Sequence, residues 1–114
     1  MAITSGKARF LELRGISSPI LLAPWQAVGT PLEQPVRILK ISNATDQDIV
    51  ISTDGVTEMD FIAANGFALY DLGTNRSESG ATFQFPEQTQ FYVRAATVAT
   101  TTGDVLITGI FAGV

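Results

Sequence analysis

The sequence predicts an all-β fold: an antiparallel β-sandwich of jelly-roll type with eight or nine short strands. Three observations carry that expectation. Apolar residues recur with a period of two rather than 3.6, turn signals return about every ten residues, and no stretch supports a long helix. At 114 residues, with 46% hydrophobic and 16% charged, the chain is a single domain over residues 1–114, long enough to enclose one core and too short for two. A closed barrel is the other arrangement that so many short strands allow.

Taken in order, residues 1–6 are small and polar and form a candidate N-terminal arm. Strands are expected over 7–14, 19–28, 35–43, 47–53, 59–63, 67–72, 81–85, 89–95 and 104–112. Pro19, Pro24, Pro31, Pro35 and Pro86 fall at strand ends, or at edge or bulge positions where a missing N–H is tolerated. Asp54-Gly55 and Asn65-Gly66 are dipeptides that accept positive φ in tight hairpins. The polar stretches GTNRSESG and ATTTGD are the longer connections.

The two faces of these strands differ. In 81–85 and 89–95 one face is apolar (Phe83, Phe85, Phe91, Val93) and the other carries Gln84, Gln90 and Arg94, as expected of strands with one wet side. In PILLAPWQAV, Leu21, Ala23 and Trp25 oppose Ile20 and Leu22. VRILKI sets Leu39 and Ile41 against Val36 and Ile38, and VLITGIF sets Leu106 and Ile110 against Val105, Ile107 and Phe111. A two-layer domain has one core, so a second apolar face calls for cover by another chain. The candidate interface is therefore Leu21, Ala23, Trp25, Leu39, Ile41, Leu106 and Ile110, in a homo-oligomer or a larger assembly. The alternative is that bends at Pro24 and Gly109 exchange the faces within a strand.

Chemistry is restricted by what the chain lacks. Without histidine or cysteine there is no Ser-His-Asp site, thiol nucleophile or imidazole ligand. A Ser-Lys pair would have to use Lys7 or Lys40, neither in a nucleophile motif, and nothing selects a catalytic carboxylate pair. No enzyme, cofactor or metal site is expected. The stretch SNATDQDIVISTDGVTEMDF holds five carboxylates, Asp46, Asp48, Asp54, Glu58 and Asp60, and no basic residue. Asp46-Gln-Asp48 begins like a calcium loop, but Val50 and Thr53 break that pattern. With Ile49 and Ile51 facing inward, the acids read as the solvated edge and turn of a sheet. A net charge of −4 and scattered arginines argue against nucleic acid or an anionic membrane as partner. With no apolar leader and no run of membrane-spanning length, the expectation is a soluble protein made in the cytoplasm.

The same acidic region carries a resemblance. Residues 38–76, about a third of the chain, resemble a segment of small all-β virion proteins of tailed bacteriophages. The matching elements are an N-x-T-D-x-D hairpin ending in S-x-DG at 43–55, a DF-x-x-A-x-G connection at 60–66, L-x-D-L at 69–72 and a polar TNR loop at 74–76. The resemblance implies a structural protein located in the virion. It would be a capsid cement or decoration protein that binds the major capsid protein or other virion proteins. A head–tail connector, a tail or fibre component and a carbohydrate or host-recognition module are the alternatives.

Overall fold

The structure is a computed structural model that describes residues 7–72 and 84–113. The candidate arm at 1–6, the polar loop at 73–80 and most of the predicted strand 81–85 lie outside the described residues. Among those residues all regular structure is β, in nine strands: β1 (Lys7–Phe10), β2 (Arg14–Ser17), β3 (Gln26–Ala27), β4 (Ile38–Thr45), β5 (Ile49–Ser52), β6 (Asp60–Ile62), β7 (Phe67–Asp71), β8 (Tyr92–Ala95) and β9 (Gly103–Gly113).

The strands form two antiparallel sheets. In the larger, β4 and β9 are central and pair from Ile38↔Ile110 to Thr45↔Gly103; β7 lies beyond β4, while β1 and β2 follow one another along the other edge of β9. The smaller has the order β3-β8-β5-β6. One hydrophobic cluster joins both: Leu39, Ile41, Val105 and Ile107 from the first sheet meet Ile49, Ile51, Ile62 and Val93 from the second. Alternation drives this arrangement, because every second residue of β4 and β9 reaches the core.

The predicted strand 7–14 is two strands. After Leu11, whose amide donates to the Gly109 carbonyl (2.8 Å), the chain leaves the ladder and re-enters at Arg14. That side chain is 5% exposed. Its Nε donates to Thr30 O (2.8 Å) and its Nη atoms to Glu12 O and Pro31 O, with Glu33 as ion-pair partner. It clamps the 29–33 loop over the sheet edge, and an internal guanidinium of this kind persists because its donors are satisfied.

The predicted strand 19–28 shrinks to Gln26–Ala27. Pro19 and Pro24 cannot donate to a ladder, and the peptide bonds before both are cis. The segment is instead pinned irregularly: Ile20 N donates to Thr100 Oγ1 (2.7 Å), and Leu21 O accepts from Ala95 N (2.8 Å). Ile20 itself is fully buried.

Candidate functional site

The outer face of the larger sheet carries a cluster of exposed apolar side chains among a few polar ones. Strand register sets Phe10, Ile110 and Ile38 in one row, Thr108, Lys40 and Leu69 in the next, and Leu106, Ser42 and Phe67 beyond it. Phe10 is 74% exposed, Phe67 65% and Leu69 58%. Leu106 folds across Gly15 so closely that a Cβ at position 15 would stand 2.7 Å from its Cδ2. Lys40 and exposed Asp71, which pairs with Ile38 at the end of the first row, are the charges within these rows; the Lys40 Nζ lies 5.9 Å from the centre of the Phe67 ring. Water meets a broad hydrocarbon surface here, which monomeric proteins seldom leave uncovered.

A second feature lies outside the smaller sheet. Tyr92 and Arg94, on the opposite side of β8 from buried Val93 and Ala95, floor an open groove of about 540 Å³. Leu22, Ala23, Pro24 and Trp25 wall one side, and the Asp54-Gly55 turn walls the other. The Arg94 guanidinium lies over the Trp25 ring, 5.0 Å from its centre, and pairs with Glu58. The Asp54 carboxylate accepts from the Thr57 amide (2.8 Å), the Ser52 hydroxyl (2.7 Å) and the Val56 amide (2.8 Å). These donors hold it far below the usual carboxylate range, because each favours the charged form.

The acidic stretch turns out to organise turns. Asn43, 1% exposed, donates through Nδ2 to the carbonyls of Gln47 (2.9 Å), Ile62 (3.1 Å) and Ala63 (3.1 Å), while the Thr45 amide and hydroxyl donate to its Oδ1. Asp46 is exposed, as expected of an edge acid, yet it accepts from the Thr101 hydroxyl and amide and is held below its ordinary pKa by them. Asp48 accepts from Ala64 N (2.9 Å). Asp60 takes the Tyr70 hydroxyl; burial, then this bond and the carboxylate charge, raise the phenol well above its ordinary value. Among the described residues no three acidic side chains gather as a metal cluster, and no helix is long and apolar enough to cross a membrane.

The seven predicted interface residues separate into three groups. Leu106 and Ile110 lie on the outer face of the larger sheet. Exposed Leu21 and Ala23 and half-buried Trp25 belong to the irregular segment beside the groove. Leu39 and Ile41 are a correction: both are fully buried between the sheets. The outward apolar residue of β4 is Ile38, because the chain enters the sheet at Ile38 after an isolated bridge between Val36 and Phe85, so Val36 and Ile38 do not share a face. Nor does Gly109 exchange faces, since the pairing of β9 with β4 runs through it unbroken.

Phe10, Phe67 and Leu69 were missed, although 67–72 alternates, because both of its faces look apolar in sequence. Comparison with protein-family models, with curated proteins and with solved structures returned no match.

Proposed function

We propose that this chain is a non-enzymatic structural protein of a phage virion, a cement or decoration protein that binds and stabilises the assembled head through the outer face of its larger sheet. The observation that carries the reading is the apolar surface around Phe67, Leu69, Phe10 and Ile110. Two others support it. The two antiparallel sheets, with strand orders β1/β2-β9-β4-β7 and β3-β8-β5-β6, are compatible with the jelly-roll sandwich expected from the sequence, an architecture that viral shells use. The segment that resembles phage virion proteins supplies β4 and β7, and with them Ile38, Lys40, Phe67 and Leu69 of the proposed contact.

Magnitudes favour a lattice over a single partner. Covering what remains exposed of Phe10, Phe67 and Leu69 is worth roughly 3–6 kcal/mol in all, while association costs about 4–15 kcal/mol of lost freedom. One contact of this size is weak. Many identical contacts on a shell, or several copies joined as a homo-oligomer, become strong by multivalency, and a protein that binds only the assembled lattice stabilises it by mass action.

Quantitative mass spectrometry of purified particles tests this. A cement protein is present in numbers comparable to the shell subunits, and particles lacking it release DNA at a lower temperature. A copy number fitting one ring at a single vertex, with unchanged thermal stability, would replace this reading with the connector.

A further inference from the structure

We propose that the groove between Trp25, Tyr92 and the Asp54-Gly55 turn is a binding site for a neutral saccharide. It lies on the smaller sheet, away from the face assigned to shell contact, so it stands or falls independently of that assignment.

Its volume, about 540 Å³, is within the range of small-ligand sites. Two aromatic side chains line it, and among the described residues neither the Trp25 indole N–H nor the Tyr92 hydroxyl has a hydrogen-bond partner. Arg94 covers one face of Trp25 and the Gly55 turn lies against Tyr92, so each half-buried side chain offers its remaining ring surface beside an unspent polar tip, a combination that takes the C–H groups of a pyranose and its hydroxyls together. Tyr92 is held in place, because the turn passes so near that a Cβ on Gly55 would touch three of its ring carbons at 3.6–3.7 Å. Arg94 is fixed by Glu58, by the Ala95 carbonyl and by Trp25. A site set in advance loses little freedom on binding.

Charge narrows the ligand class. Asp54 walls the groove and Glu58, paired with Arg94, offsets the cation that lines it, so an acidic sugar or a phosphate is disfavoured. The guanidinium over Trp25 occupies the position an ammonium group would take and repels it. What remains is an uncharged, hydroxyl-rich molecule whose O–H groups donate to carboxylate oxygens and accept from Trp25 and Tyr92.

Trp25 is the single tryptophan of the chain, so its emission reports the groove directly. The full chain is titrated with neutral tetrasaccharides of glucose, mannose and N-acetylglucosamine, and separately with sialyllactose, choline and a polyproline peptide. The expected result is a saturable change with at least one neutral sugar. Tyr92→Ala then weakens binding roughly tenfold or more, Tyr92→Phe weakens it less, and Phe67→Ser leaves it unchanged. Calorimetry with Trp25→Phe, which keeps a ring but loses the N–H, shows a weakened affinity as well. The conservative Tyr92→Phe and Trp25→Phe variants keep the test decisive if Tyr92→Ala does not fold. The proposal is overturned if no neutral sugar alters the emission up to about 10 mM, a threshold below which even millimolar binding is seen. It is overturned equally if sialyllactose, choline or polyproline binds while the neutral sugars do not, or if the aromatic variants bind as the wild type does.

Discussion

Asn43→Ala removes the amide that fastens the β4–β5 turn to the end of β6. In the native protein Nδ2 serves three carbonyls and Oδ1 receives the Thr45 amide and hydroxyl, and the Asn43 side chain itself is closed to water. Alanine deletes about three net hydrogen bonds at roughly 1 kcal/mol each and leaves the Thr45 N–H short of an acceptor, so the loss should be about 3–4 kcal/mol. For a domain of this size that lowers Tm by roughly 12–30 °C. Urea and thermal unfolding of the two proteins measure it. A loss under about 1 kcal/mol would refute the reasoning, since a buried amide this connected cannot be so cheap. Asn43→Asp adds a pH signature. Its carboxyl group would face the three carbonyl oxygens in a dry site, so its folded pKa lies above the unfolded value and the folded state keeps the proton longer. Stability then falls as pH rises, and the variant should be distinctly worse at pH 8 than at pH 5.

Gly103 and Gly55 both have positive φ (88° and 73°), but a Cβ at 103 would stand 1.8 Å from the Ala44 carbonyl oxygen, whereas at 55 it makes ordinary contact with Tyr92. Gly103→Ala should therefore cost about 3–5 kcal/mol or prevent folding, and Gly55→Ala only about 1 kcal/mol, compared by denaturant midpoints. Asp54→Asn should lower Tm at pH 7. The native pKa is depressed, so the contribution is complete above about pH 4 and fades as acid approaches the folded pKa; a difference that grows in acid would contradict this. Arg14→Lys gives up the fork that reaches Thr30, Pro31 and Glu12, and should cost about 2–3 kcal/mol in the same unfolding assay.

How much was legible can be traced residue by residue. The paired strands β4 and β9 were readable as strands because each is an apolar, β-branched run bounded by turn signals, and the Asp54-Gly55 and Asn65-Gly66 turns fall where their dipeptides put them, with Gly55 and Asn65 at positive φ. The segment 19–28 was misread as a strand because its apolar residues alternate by accident while two prolines deny it a ladder. Leu39 and Ile41 were assigned outward because VRILKI is apolar on both faces; only the bridge from Val36 to Phe85 shows where the parity resets. Arg14 looked like one of five scattered arginines, and no local pattern marks it as the clamp of a loop fifteen residues on. The groove was legible only in part: opposition to Phe91 and Val93 turns Arg94 outward, but Tyr92 was not singled out with it, and its meeting with Asp54 depends on Ser52 pairing with Tyr92, a long-range register that periodicity does not encode.

The most direct test of the central claim is the binding of a Phe67→Ser/Leu69→Ser double variant to particles stripped of the native protein, measured by co-sedimentation against the wild type. Both side chains project from the outer face of β7 and are mostly exposed, so the isolated fold should melt within a few degrees of the wild type. Attachment, and with it the restored resistance of the particles to heat, should be lost. A double variant that binds stripped particles and restores their stability as well as the wild type would contradict the assignment of this face to the shell.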